Sequence, residues 1–146
     1  MPLTCKKHGI AFQYPDNWTI DEADSLADCK SVTVYSPGGA FWSIMLSPCS
    51  RDPHSFSKVA IEAMREEYEE LDIEEIEETI AGRLMSGYDM HFYCLDLTNT
   101  ACVRSVGTDQ ATYTVFYQAE DREFDRLHPV FLAITNSLLN SLNELN

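Results

Sequence analysis

Tyr88-Asp89-Met90-His91-Phe92-Tyr93-Cys94-Leu95-Asp96-Leu97 is followed, after the break Thr98-Asn99-Thr100, by Ala101-Cys102-Val103-Arg104-Ser105-Val106. A second break, Gly107-Thr108-Asp109-Gln110, leads into Ala111-Thr112-Tyr113-Thr114-Val115-Phe116-Tyr117-Gln118-Ala119. β-branched and aromatic residues fill the three runs while Asn, Asp and Gly fill the breaks, the pattern of consecutive hairpins in an antiparallel sheet. This three-strand meander decides the fold, and the rest of the chain must be arranged around it.

Toward the N-terminus, Gly9 to Tyr14 alternates, Pro15-Asp16-Asn17 supplies turn chemistry, and Trp18 to Asp21 returns, which predicts a first hairpin. Glu22 to Lys30 reads as an acidic loop. Ser31 to Tyr35 and Ala40 to Leu46 then flank Ser36-Pro37-Gly38-Gly39, a strong turn signal. Trp42, Ile44 and Leu46 share one parity and Phe41 and Met45 the other, so this strand is expected inside the sheet with both faces covered.

From His54 the period changes. Phe56, Val59, Ala60, Ala63, Met64, Tyr68 and Leu71 recur at the three-and-four spacing of an amphipathic helix that starts just after Pro53. Ile73, Ile76 and Ile80 fit either period; a strand is preferred because Leu71-Asp72 ends the helical stripe and Gly82 closes the segment. A second helix is predicted from about Glu120 to Leu142, with Phe124, Leu127, Phe131, Ile134, Leu138 and Leu142 as its buried seam. Pro129 lies inside it and predicts a kink, or a helix that begins near His128.

Two such helices can each cover one face of the sheet. The fold class is therefore α+β: an α/β/α sandwich whose mostly antiparallel sheet has six to seven strands, with one long helix after the fourth strand and one at the C-terminus. Residues 1–146 read as a single domain, large enough for one well-buried core, with residues 1–8 as a flexible tail.

The order of these residues resembles a known family. Gly9 to Trp18, with its aromatic residues, Pro15 and Trp18, is similar to the opening hairpin of PsbP-like proteins. Ala111 to Ala119 followed by Phe124, Pro129, Phe131 and Ser137-Leu138 resembles that family's last strand and closing helix, and Phe56 to Leu71 sits where its first long helix lies. The resemblance covers nearly the whole chain and implies an antiparallel sheet between helices, serving as a binding or accessory domain. The family includes the extrinsic lumenal subunit of photosystem II and a nuclear import factor that binds the Ran GTPase. This sequence shows neither the targeting peptide of the first nor a motif matching the Ran-binding residues of the second, so no functional residue carries over.

Ten Lys and Arg stand against twenty-four Asp and Glu, a formal charge of −14. Such a field repels nucleic-acid phosphates and anionic lipid, so the expected partner is a basic protein, with no nucleic acid and no membrane. Five scattered cysteines in a chain of this size point to reduced thiols and a cytoplasmic address. Met1 to His8 carries no apolar run behind its lysines, so it is read as neither signal nor anchor.

The chemistry-bearing motifs are few. Pro37-Gly38-Gly39 is followed by no Lys or Ser/Thr placed for a nucleotide, and there is no nucleophile elbow. Cys5-Lys6-Lys7-His8 has a spacing that suits two zinc ligands, with Cys49 and His54 to complete them, but ordinary tail residues explain it better. No catalytic, cofactor-binding or metal residue is assigned, no cofactor is expected, and the chain is not read as an enzyme.

Two clusters are candidates for binding. Glu66, Glu67, Glu69, Glu70, Asp72, Glu74, Glu75, Glu77 and Glu78 form an acidic run placed at the carboxyl end of the first helix, where the macrodipole is already negative. Glu66, Glu67, Glu70, Glu74 and Glu77 are the candidate contacts for a basic partner, or for a weakly held Ca²⁺, against a bland role in solubility. The second cluster follows from the central hairpin. A two-residue turn at Thr98-Asn99 or Asn99-Thr100 puts Asp89, His91, Tyr93 and Arg104 on one face. Met90, Phe92, Cys94, Ala101 and Val103 then face the core, and Cys94 and Cys102 lie on opposite sides. The polar four would line a pocket for a small anionic or aromatic ligand, or satisfy one another at the sheet edge. The leading reading is a non-catalytic interaction or accessory domain, the alternative a small-ligand module. An enzyme would be marked by convergence of His91, Asp89 and a reactive cysteine.

Overall fold

The computed structural model describes residues 1–21, 30–47 and 52–145. The order of elements is β1 (Leu3–Lys7), β2 (Ile10–Tyr14), β3 (Thr19–Asp21), β4 (Lys30–Tyr35), β5 (Phe41–Ser47), α1 (Pro53–Glu67), β6 (Leu71–Ile80), β7 (Arg83–Cys94), β8 (Leu97–Gly107), β9 (Thr112–Glu120) and α2 (Asp121–Leu145). β3-β4-β5-β9-β8-β7-β6 form a seven-stranded sheet, antiparallel throughout, and β1-β2 form a separate two-stranded ribbon. The α+β sandwich read from the sequence is the observed architecture. Its first helix follows the fifth strand, because Leu3–Lys7, expected as a tail, pairs with β2.

That pairing replaces the first expected hairpin. β2 does not turn back onto Thr19–Asp21; it pairs with β1 through Leu3↔Tyr14 to Lys7↔Ile10, while β3 pairs with β4. The outer edge of β2 instead docks on α2, where Ala11 N–H and Gln13 N–H donate to the Ser141 and Ser137 hydroxyls at 3.3 and 2.8 Å. Phe12 is thereby driven against Trp42, ring centroids 4.8 Å apart.

α2 runs as helix from Asp121 through Pro129, and its seam Leu127, Phe131, Ile134, Leu138 and Leu142 is buried. Tyr117 stacks on Phe131 at 4.8 Å, and Trp42 Nε1 donates to Thr135 Oγ1 at 2.9 Å, so the indole is buried without losing its hydrogen bond. The larger core lies here, between α2 and one sheet face. A smaller core lies under α1 on the other face, with Ile61 and Met64 packed on Tyr88, Met90, Phe92, Ala101 and Val103.

α1 is capped by Asp52, which accepts from His54 N–H at 3.1 Å, and Pro53 occupies its first turn. It is turned about its axis from the expected orientation. Ser57, Ile61 and Met64 are buried while Val59 is 62 % exposed. The cause is polar: Ser57 Oγ meets Ser105 Oγ at 2.8 Å and donates to the Ser86 carbonyl at 3.3 Å, a small hydroxyl layer where helix and sheet approach closely. α1 also ends early, at Glu67, because Tyr68 takes an extended conformation and packs its ring, tilted, against Phe92 at 4.3 Å. It leaves β5 uncovered on that side, with Met45 exposed and Phe41 half-buried, where both faces were expected to be covered.

The segment of ambiguous period is the edge strand β6. Ile76 and Ile80 face α2 and Ile73 packs under α1, as strand alternation requires. Among the described residues three hairpin turns have both central residues at positive φ: His8-Gly9, Ala81-Gly82 and Leu95-Asp96. The first two carry glycine; the third places Leu95, 91 % exposed, at φ 53°. A left-handed leucine costs on the order of 1 kcal/mol, a cost asparagine largely avoids. Leu95→Asn is therefore expected to raise stability by about 0.5–1 kcal/mol in urea unfolding, with no change in the slope against denaturant.

Candidate functional site

The turn at Leu95-Asp96 fixes the β7–β8 register: Gly87 opposes Arg104, Asp89 opposes Cys102 and His91 opposes Thr100. The turn lies upstream of Thr98-Asn99-Thr100, and Asn99 and Thr100 are buried in β8. Both turns hold two residues, so the faces are those expected from the sequence despite the shift. Asp89, His91 and Arg104 share the α2 face. Gly87 is required by close approach, since a Cβ there would lie 1.7 Å from the Val103 carbonyl oxygen.

Arg104 is 4 % exposed. Its Nε donates to Glu78 Oε1 at 2.6 Å and its Nη2 to Asp89 Oδ1 at 2.7 Å, while Nη1 donates to the Tyr88 and Val103 carbonyls at 3.2 and 3.0 Å. Burial alone would weaken Arg104 as a base. Tyr117, Glu78 and Asp89 reverse that and hold the guanidinium protonated beyond its ordinary range. With its donors so consumed, it ties edge strand β6 to β7 and β8 and has little left for an anionic ligand.

Beside it, burial first and the Asp89 carboxylate second push the Cys102 thiol well above its ordinary 9.0, which keeps it protonated at neutral pH. Tyr117, opposite Cys102, is 1 % exposed and is likewise pushed up by burial. Its hydroxyl lies against the Cys102 thiol, and no group among the described residues gives it a well-formed hydrogen bond.

β9 ends where α2 begins, so the first turns of α2 hang over Thr100 and His91. Thr100 Oγ1 donates to Asp121 Oδ1 at 2.7 Å, and His91 Nδ1 lies 3.1 Å from the same Oγ1. Thr100 has one proton and gives it to Asp121, so His91 Nδ1 must be the donor. In the neutral ring, Nε2 then carries the lone pair. Between this wall and β6–β8 lies a cleft of about 540 Å³, with Asp125 and His128 on the helix side and Glu78, Asp89 and Arg104 on the sheet side. Phe124 stacks on His128 at 5.4 Å.

The structure thus brings Asp89, His91 and Arg104 to one cleft and leaves Tyr93 outside it. Tyr93 is exposed near the hairpin tip and lines a separate hollow of about 400 Å³ with Glu70, Asp72 and His91. Sequence reading missed Thr100, assigned to a turn, and the α2 residues Asp121, Asp125 and His128. Their spacing of four and three puts them on one helix face, a signal hidden by attention to the apolar seam.

The acidic run does not gather at a helix end as expected. Glu66 and Glu67 close α1, Glu70 lies in the bend, and Glu74 and Glu77 project to opposite faces of β6, since they oppose Asp89 and Ser86. The macrodipole cost therefore applies to the first two alone. All five are exposed. Of the zinc candidates, Cys5 is buried opposite Phe12, His54 Nε2 meets the Tyr88 hydroxyl at 3.1 Å, and Cys49 lies outside the described residues. Among the described residues no three His, Cys, Asp or Glu side chains converge on a metal position.

No protein-family model and no curated protein matches this sequence. Solved structures do match. The cyanobacterial PsbP of Synechocystis sp. PCC 6803 superposes with a TM-score of 0.60 at 14 % identity, covering 94 % of this chain and 89 % of that one. The fold is PsbP-like. LpqN of Mycobacterium tuberculosis, described as involved in cell envelope biogenesis, matches with a TM-score of 0.52 at 13 % identity over 92 % of this chain and 87 % of its own. A Bacteroides thetaiotaomicron protein matches with a TM-score of 0.61 at 10 % identity over 93 % of this chain. This chain spans about half of that protein, 46 %. At such identities the likeness establishes the PsbP-like fold and carries no residue role.

Two outcomes follow from the buried cluster. Arg104→Met leaves Glu78 and Asp89 without their cation and is expected to cost on the order of 3 kcal/mol in urea unfolding. Because the folded chain keeps the Cys102 proton that the unfolded chain begins to release near 9.0, stability is full below that pH and falls as pH rises past it. Unfolding measured across the alkaline range should show Cys102→Ala declining less steeply, by up to about 1.4 kcal/mol per pH unit.

Proposed function

We propose that this chain is a non-catalytic accessory domain that binds a basic protein partner through the exposed carboxylates of the acidic run. The observation that carries this reading is the placement of Glu66, Glu67, Glu70, Glu74 and Glu77, exposed and, among the described residues, outside every ion pair. They extend from the end of α1 along β6, the last strand of the sheet. A charged edge strand resists pairing with a second copy, and the same charges attract Lys and Arg. The closed state of Arg104 and the protonated Cys102 support a binding role over bond-making. The unbridged thiols of Cys94 and Cys102 suit a reducing compartment such as the cytoplasm.

The test is capture of partners from a native-host lysate across a salt series, with the five glutamates changed to Gln in parallel. A basic protein is expected at low salt. It should be lost near physiological ionic strength or above, where the screening length is about 8 Å, and be absent from the neutralised variant. Retention at high salt, or equal capture by the variant, would refute the reading.

A further inference from the structure

We infer that the cleft between β6–β8 and the first turns of α2 is a receptor for a guanidinium or primary ammonium group. The reading deepens the proposal of a basic partner and rests on it only for where that group comes from.

The walls decide the sign of the ligand. Four carboxylates, Glu78, Asp89, Asp121 and Asp125, face a single cation, Arg104, which Glu78 and Asp89 already hold. Asp121 keeps one oxygen beyond its bond from Thr100, and among the described residues Asp125 makes no hydrogen bond. His91 spends its Nδ1 proton on Thr100, and in the neutral ring its Nε2 is one more acceptor. A site whose unspent groups are acceptors, with net negative charge, selects a cation that donates several hydrogen bonds. The stacked rings of Phe124 and His128 give its planar or alkyl part a surface to lie on.

A second observation stands apart from the carboxylates. The Tyr117 hydroxyl, buried and without a well-formed hydrogen bond, interacts with Cys102, Arg104 and Glu78, three residues of the cleft. A buried hydroxyl that has only a thiol against it, directed at three residues of the cleft, is a polar group whose hydrogen-bonding capacity is still unspent at the cleft floor. Among the described residues an anion finds no such place, since the cleft's guanidinium is already held by Glu78 and Asp89.

The probe is argininamide, titrated calorimetrically into the full chain at low salt, with inorganic phosphate as the opposite charge. Saturable binding of argininamide and none of phosphate is expected. Asp121→Asn with Asp125→Asn should weaken it about tenfold or more, as loss of charge-assisted hydrogen bonds implies. Glu62→Gln with Asp109→Asn, an equal charge change at exposed positions outside both the cleft and the five binding glutamates, should leave it nearly unchanged. Asp125→Asn alone, which disturbs no bond within the fold, guards against a misfolded double variant and should still weaken binding severalfold. No saturable argininamide binding, equal binding by the cleft variants, or preferential phosphate binding overturns the inference. Acetyl-Gly-Arg-Gly-amide separates the sources: binding at least as tight as argininamide indicates a side chain of a protein, exclusion a free amine. Argininamide binding without partner capture would overturn the surface reading alone; capture without argininamide binding would overturn the cleft alone.

Discussion

The register between β7 and β8 is the constraint on which the rest of the molecule depends. Because side chains alternate at a period of two, one pairing decides at once which residues meet α1 and which meet α2. Met90, Phe92, Ala101 and Val103 go under α1 and make the smaller core. Asp89, Cys102 and Arg104 go under α2, where the cleft opens. A slip of β7 by one residue would turn Asp89 toward Ile61 and Met64 and send Met90 and Phe92 toward the polar wall. Gly87, pressed on the Val103 carbonyl, and the two-residue turn at Leu95-Asp96 pin the pairing at separate points along the hairpin.

That register also explains how a charged side chain comes to sit inside the sheet layer. Desolvating a guanidinium costs several kcal/mol, and a lone arginine at position 104 would be intolerable. Asp89 from the adjacent strand β7, Glu78 from β6 beyond it and two carbonyl oxygens surround it, so the cost is offset and β6 is tied in. An apolar cluster of the same shape would serve stability as well or better. What the ionic version adds is an edge strand that can keep its outer surface charged and still be anchored from within.

Surface and cleft therefore share one electrostatic character. Exposed carboxylates stand on both faces of β6, and four more carboxylates line the cleft on the α2 side, two of them held by Arg104. The PsbP-like fold supplies the platform, but nothing in fold likeness at these identities supplies the chemistry.

Much of this was legible in one dimension, for definite reasons. The strand assignment for Ile73 to Ile80, the seam of α2 and the faces of the β7–β8 hairpin depend on local periodicity, which the sequence carries. The parity held even though the turn was misplaced by several residues, because any two-residue turn conserves it. The orientation of α1 was not legible: an apolar count favours Val59, whereas hydroxyl pairing of Ser57 with Ser105 across 48 positions sets the helix. Nor was the pairing of β1 with β2, which depends on Ser137 and Ser141 receiving the free edge of β2 from the far end of the chain. By itself the sequence determined the elements, their buried faces and the acidic character of the molecule. Tertiary structure alone decided that Arg104 is spent on Glu78 and Asp89, and that His91 meets Asp121 through Thr100. Hydrogen bonds between residues distant in the chain are fixed by packing, which no local pattern encodes.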